Sequence, residues 1–149
     1  MISKGGVIMI EISKIVIKGA SGYCCVDEAY SDKVTVTGES IAYEYHPMLE
    51  TEINPSRKWS YKTTSPIFKK RYVDLVEVMP VIVNHDIEMF CTDIGGIEFI
   101  ITYSDKTKFK KTFFLPGDEF KECFQIIKRM VPECEYVPAV LITEDDYED

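Results

Sequence analysis

The sequence predicts an α+β fold, an antiparallel sheet of about six to eight strands with two amphipathic helices on one face. Three observations carry this. Short runs of alternating apolar residues recur along the chain, 97–103 and 109–115 being the clearest, and turn-forming residues such as Ser104-Asp105-Lys106-Thr107 separate them. A period of two places alternate side chains on one face of a strand. Two other stretches, near 65–79 and 117–131, repeat apolar residues at helical spacing. Finally, the turns between neighbouring strands are too short for a crossover, so those neighbours run antiparallel.

At the start, Ile8, Ile10 and Ile12 alternate, then the phase slips at Ser13-Lys14 and resumes with Ile15 and Ile17. One inserted residue near Ser13, a β-bulge, restores the apolar face. Residues 1–6 read as a disordered or non-native extension, and Met9 as the natural start of a bacterial protein. The reason is that Lys4-Gly5-Gly6 is what a purine-rich ribosome-binding sequence encodes when it is translated. Gly19 to Gly22 forms a loop, Asp32-Lys33 opens a strand over 34–37, and Gly38-Glu39-Ser40 turns the chain into a second strand over 41–46.

Residues 47–58 show no period and contain Pro47 and Asn54-Pro55. A loop of this length in a compact domain tends to carry function. Residues 59–63 alternate again. Paired antiparallel with 41–46, they place Tyr43, Tyr45, Trp59 and Tyr61 on a shared face, either as a core ladder or as a partly exposed binding platform.

Ser65-Pro66 reads as a helix start, with Ser65 as N-cap and Pro66 at the first helical position. Phe68, Tyr72, Leu75, Val76 and Met79 share one side, and Pro80 is expected to stop the helix. Asn84-His85-Asp86 reads as a turn, 87–92 as a strand, and 93–96 as the turn into the next strand. The second helix begins near Gly117. Acidic residues lie at its start, Lys128 and Arg129 at its end, and Pro132 beyond it. Residues 137–142 either add an edge strand or lie along the surface, Pro138 favouring an edge.

An offset of 52 aligns the helices, Phe68 with Phe120, Tyr72 with Phe124, Leu75 with Ile127 and Pro80 with Pro132. The chain thus reads as possible tandem β-β-β-α units preceded by one extra strand. At the level of fold alone this order resembles the beta-lactamase-inhibitor-protein architecture and the TATA-binding-protein saddle; the motifs of neither are present, and the resemblance implies no function.

With 149 residues the chain suits one α+β domain over 1–143, followed by an acidic tail over 144–149. That tail supplies five acidic residues, and the formal net charge of −8 disfavours nucleic acid as a partner. No apolar run is long enough to span a bilayer, so no membrane partner is expected. Five cysteines without regular spacing suit a reducing, cytoplasmic setting. The adjacent pair Cys24-Cys25 matches neither a redox motif nor a zinc half-site.

Only His46 and His85 are available as bases, and neither Cys25–His46 nor Cys91–His85 is supported as a nucleophilic pair. No cofactor, metal or catalytic residue is assigned. The basic hairpin of Lys106, Lys108, Lys110 and Lys111 interleaves Phe109 and Phe113, a pattern that guards a sheet against aggregation more often than it binds a nucleic-acid strand.

The expected function is therefore that of a small cytosolic, non-enzymatic protein-interaction or regulatory module. Its contact surface is placed at Tyr45, Arg57 and Trp59, because aromatic residues and arginine dominate interface energetics. The competing expectation is a small-molecule or enzymatic domain with a pocket between sheet and helix, lined by Tyr43, Tyr61 and Phe124.

Overall fold

The computed structural model describes residues 11–21, 25–84, 96–113, 120–132, 135 and 138–141. It contains a six-stranded antiparallel sheet with β1 (Ile12–Ala20), β2 (Tyr30–Val36), β3 (Ser40–Pro47), β4 (Arg57–Lys62), β5 (Ile97–Tyr103) and β6 (Lys108–Phe113) in the order β4-β3-β2-β1-β5-β6. Helix α1 (Pro66–Val83) follows β4, helix α2 (Lys121–Met130) follows β6, and a 3₁₀ turn spans Ala139–Leu141. The expectations for residues 1–6, for Met9, for the turn and strand over 85–95, for the first turn of the second helix at 117–119, and for the tail over 144–149 fall outside the described residues.

The bulge lies where the alternation slips. Ile12 pairs with Tyr103 and Lys14 with Thr102, leaving Ser13 as the extra residue, and its Oγ donates 3.0 Å to the Thr102 carbonyl. Ile12, Ile15 and Ile17 therefore share one face. Across the sheet Ile17 meets Val34 and Phe99, and Val34 meets Tyr43, which meets Trp59. Ile15, Ile17, Val34, Ile41, Phe99 and Ile101 are fully buried. Both helices cover this face, because their buried residues belong to the same apolar cluster as the strands.

The contacts are specific. Tyr72 of α1 donates its hydroxyl to the Ile12 carbonyl at 2.8 Å, and burial pushes its pKa up to about 12. Phe68 meets Tyr61 edge-on at 6.3 Å, while Phe120, Phe99 and Phe113 form a triangle of edge-to-face rings 4.9 to 5.8 Å apart. No helix among the described residues is long and apolar enough to cross a membrane.

Three expectations are corrected. Helix α1 does not stop at Pro80 but runs one turn further, to Val83. The proline ring lies on the solvent side, Ile82 beyond it is fully buried, and the Asn84 N–H still reaches the Pro80 carbonyl at 3.0 Å. Burial of Ile82 outweighs the missing helical donor. Residues 139–141 form neither an edge strand nor a surface strap. They coil into the 3₁₀ turn, with Val140 and Leu141 buried under the sheet.

The third concerns the helix offset. Phe68, Tyr72 and Leu75 are buried like Phe120, Phe124 and Ile127, but Pro80 lies inside α1 whereas α2 ends at Met130, before Pro132. The two prolines are therefore not structural counterparts.

Candidate functional site

Alternation on β3 and β4 brings the three expected site residues together. Tyr45 lies directly opposite Arg57, and Trp59, two residues on, lies opposite Tyr43. The Arg57 guanidinium sits 5.3 Å above the Tyr45 ring, and the Tyr43 and Trp59 rings are tilted at 6.0 Å. Burial separates their roles. Tyr45 and Trp59 are 8% and 7% exposed and belong to the core, while Arg57 is half-buried at the rim. Of the shared aromatic face, only Tyr61 is exposed. The ladder is thus a core ladder that supports a surface without forming it.

That surface is the loop between β3 and β4, and Asn54 is its buried anchor. Asn54 is 7% exposed. Its Oδ1 accepts the Tyr45 hydroxyl at 2.5 Å, and its Nδ2 donates to the carbonyls of Asp27 at 3.2 Å and Ala29 at 3.5 Å. Its backbone exchanges hydrogen bonds with Thr51, and the Met48 N–H donates to the Ala29 carbonyl at 2.8 Å. The Ser56 backbone and hydroxyl both donate to the Glu50 carboxylate, which holds that group below its ordinary pKa, the hydroxyl contributing most.

A loop braced in this way still turns large apolar side chains outward. Ile53 is 82% exposed, Met48 72% and Leu49 48%, and Val26 protrudes from the 26–28 turn to which Asn54 is bonded. Sequence reasoning marked this loop but missed both Asn54 as its anchor and Met48, Leu49 and Ile53 as its surface. Asn54-Pro55 looked like an ordinary turn signal, and nothing local in the sequence distinguishes an outward Ile from an inward one when no period sets a face.

Of the three residues expected to line a pocket between sheet and helix, two are buried and Tyr61 is exposed. Tyr43 and Phe124 are buried, the Tyr43 hydroxyl donates to Asp32 Oδ2 at 2.8 Å, and it accepts the Ala139 N–H at 3.1 Å. Two open spaces lined by described residues lie elsewhere. One groove of about 540 Å³ between α1 and α2 is lined by Ile67, Arg71, Ile126 and Arg129, and a cleft of about 690 Å³ lies beside Glu39, Lys62 and Thr64.

Asp32 is the second residue whose role was hidden. A charge at a strand opening reads as solvent-facing, yet it is 3% exposed, beneath the 3₁₀ turn. Its Oδ2 accepts Tyr43 and the Val140 N–H at 3.0 Å, and its Oδ1 has no well-formed hydrogen bond. Burial raises its pKa. The Tyr43 and Val140 bonds oppose that rise, and the Gly19 backbone amide opposes it less. Glycine is required at position 19, since a Cβ there would lie 2.6 Å from Asp32 Oδ1 and 2.7 Å from the Val140 side chain.

Groups of three or more histidine, cysteine or acidic residues able to hold a metal do not occur among the described residues. Cys123 is fully buried in α2, which raises its thiol pKa, and Cys25 is exposed. In comparison with known proteins, the chain matches no family model, no curated protein and no solved structure.

Proposed function

We propose that this chain is a cytosolic, non-enzymatic protein-interaction module whose contact surface is the loop between β3 and β4. One observation carries the reading: Met48, Leu49 and Ile53 project into solvent from a loop that a buried asparagine holds in place. Exposing large apolar side chains on a mobile segment costs little order, whereas fixing them in place leaves a pre-organised apolar surface that gains when a partner covers it. Arg57 at the rim, stacked on buried Tyr45, supplies a guanidinium already held in position. Methionine and isoleucine beside arginine make a suitable core and edge for such a contact.

The test is affinity capture from source-organism extract with the wild-type chain and with Met48→Ser/Ile53→Asp. Both positions are exposed, so the variant should melt within about 0.5 kcal/mol of wild type while losing the partners that the wild type retains. A variant that folds normally and captures the same proteins would sink the reading.

A further inference from the structure

The face of the sheet opposite the helices carries a second surface, independent of the loop. Register and pleat place Ala42, Thr35, Val16 and Ile100 side by side across β3, β2, β1 and β5, between Ser60 and Lys110 at the two edges. Val16 is buried yet lies outside the main apolar cluster, which marks it as the centre of this other face. Along one side of the strip the row is Lys58, Glu44, Lys33, Lys18 and Glu98. Along the other, Lys62 and Ser40 lead across to Lys14, Thr102 and Lys108.

The described strands therefore put seven lysines and two glutamates on this face, an excess of five positive charges on a chain whose net charge is −8. Lys33 pairs with Glu44 at 3.1 Å and Lys110 with Glu98 at 3.7 Å. Lys18, Lys58, Lys62 and Lys108 are exposed and make no ion pair among the described residues. Solubility needs charge of either sign. Segregation of one sign on a single face, against the balance of the chain, is a field aimed at an anion.

Successive rows are two residues apart, roughly 7 Å along the strands, so the lysine rows lie on the order of 13 Å apart with the apolar strip between them. A ligand that fills this space is narrow, apolar along its middle and acidic at its margins. These strand positions hold no arginine for bidentate phosphate binding and no phenylalanine, tyrosine or tryptophan for stacking bases. Phe113 of the basic hairpin is buried on the helix side, and Phe109 packs against the core there.

We infer that the lysine-bordered sheet face binds an acidic polypeptide segment with interspersed apolar residues, its carboxylates on the exposed Lys18 and Lys58 of one row and Lys62 and Lys108 of the other, and its apolar side chains against half-buried Ala42 and Ile100.

Fluorescence anisotropy of the full chain tests this, with a short fluorescein-labelled peptide in which pairs of glutamates alternate with single leucines, and with fluorescein-labelled oligothymidylate as the nucleic-acid arm. The peptide is expected to bind and the oligonucleotide not to. Lys18→Glu/Lys58→Glu should weaken peptide binding about tenfold or more, while Lys69→Glu/Arg129→Glu, with the same charge change on the exposed helix side, should leave it within about twofold. Cooperative melting of both variants verifies the fold. The proposal is overturned by oligonucleotide binding in place of peptide binding, by no binding of either probe, or by equal weakening in the two variants.

Discussion

Asp32 is held in the native state by two hydrogen bonds to one oxygen and pays in desolvation for its charge. Its pKa is raised on folding, so the stability linked to its proton is fully present below the unfolded carboxylate value and is lost as pH rises through the native value. Asp32→Asn abolishes that dependence and keeps a carbonyl oxygen for Tyr43 and Val140. Urea melts from about pH 4 to 8 should show wild type losing stability relative to the variant as pH rises; a constant difference across the series would contradict the assignment.

Asn54→Ala removes the partner of the buried Tyr45 hydroxyl and frees the Asp27 carbonyl. A loss of about 1–3 kcal/mol is expected, measurable by denaturant melts. Lys106, in the turn between β5 and β6, has φ of 72°, a conformation that costs little only for glycine. Lys106→Gly should raise stability by about 0.5–1 kcal/mol, since relief of that strain exceeds the added freedom of the unfolded chain.

At the scale of elements, α1 offers the clearest test of packing against local preference. Pro80→Ala restores a helical N–H on the solvent side, next to buried Met79 and one turn from the helix end. A gain of about 1 kcal/mol in thermal melts is expected, smaller than the mid-helix difference because few residues follow it.

The same helix shows why some elements could be read from sequence and others could not. The Ser13 bulge and the shared face of Tyr43 and Trp59 were legible because a strand's period of two is strict and a slip of one residue inverts every side chain. The end of α1 was not legible, because what decides it is the burial of Ile82 in an apolar cluster built from elements distant in sequence. The 3₁₀ turn at Ala139–Leu141 was hidden for a related reason: its stability comes from Asp32 and Tyr43, about a hundred residues away in the chain. Of the candidate site, the loop was legible as a place. Its anchor and its outward residues were set by bonds to the 26–28 turn that no periodicity records.

At the scale of the whole molecule, the first described strand is the centre of the sheet. β1 is flanked by β2 on one side and by β5 on the other, with Ile17 pairing to Val34 and to Phe99. Closing the second of these contacts brings together residues far apart in sequence, so refolding is expected in milliseconds to seconds, slower than helical domains of this size. Stopped-flow fluorescence of Trp59, the single tryptophan, reports burial at the β3–β4 end of the sheet, and far-UV dichroism reports the whole. If the two phases coincide, the sheet forms as one cooperative unit; an earlier tryptophan phase would show that β2, β3 and β4 assemble first.

The central position of β1 also bears on how the chain is made. During synthesis this strand leaves the ribosome before every partner, and its β5 neighbour is translated about eighty residues later. Through that interval one edge of an isoleucine-rich strand stands open on the nascent chain. The pairing that seals the finished sheet thus leaves the unfinished one with an edge that another chain could pair with, a vulnerability that belongs to biosynthesis and vanishes once Tyr103 has emerged and paired with Ile12.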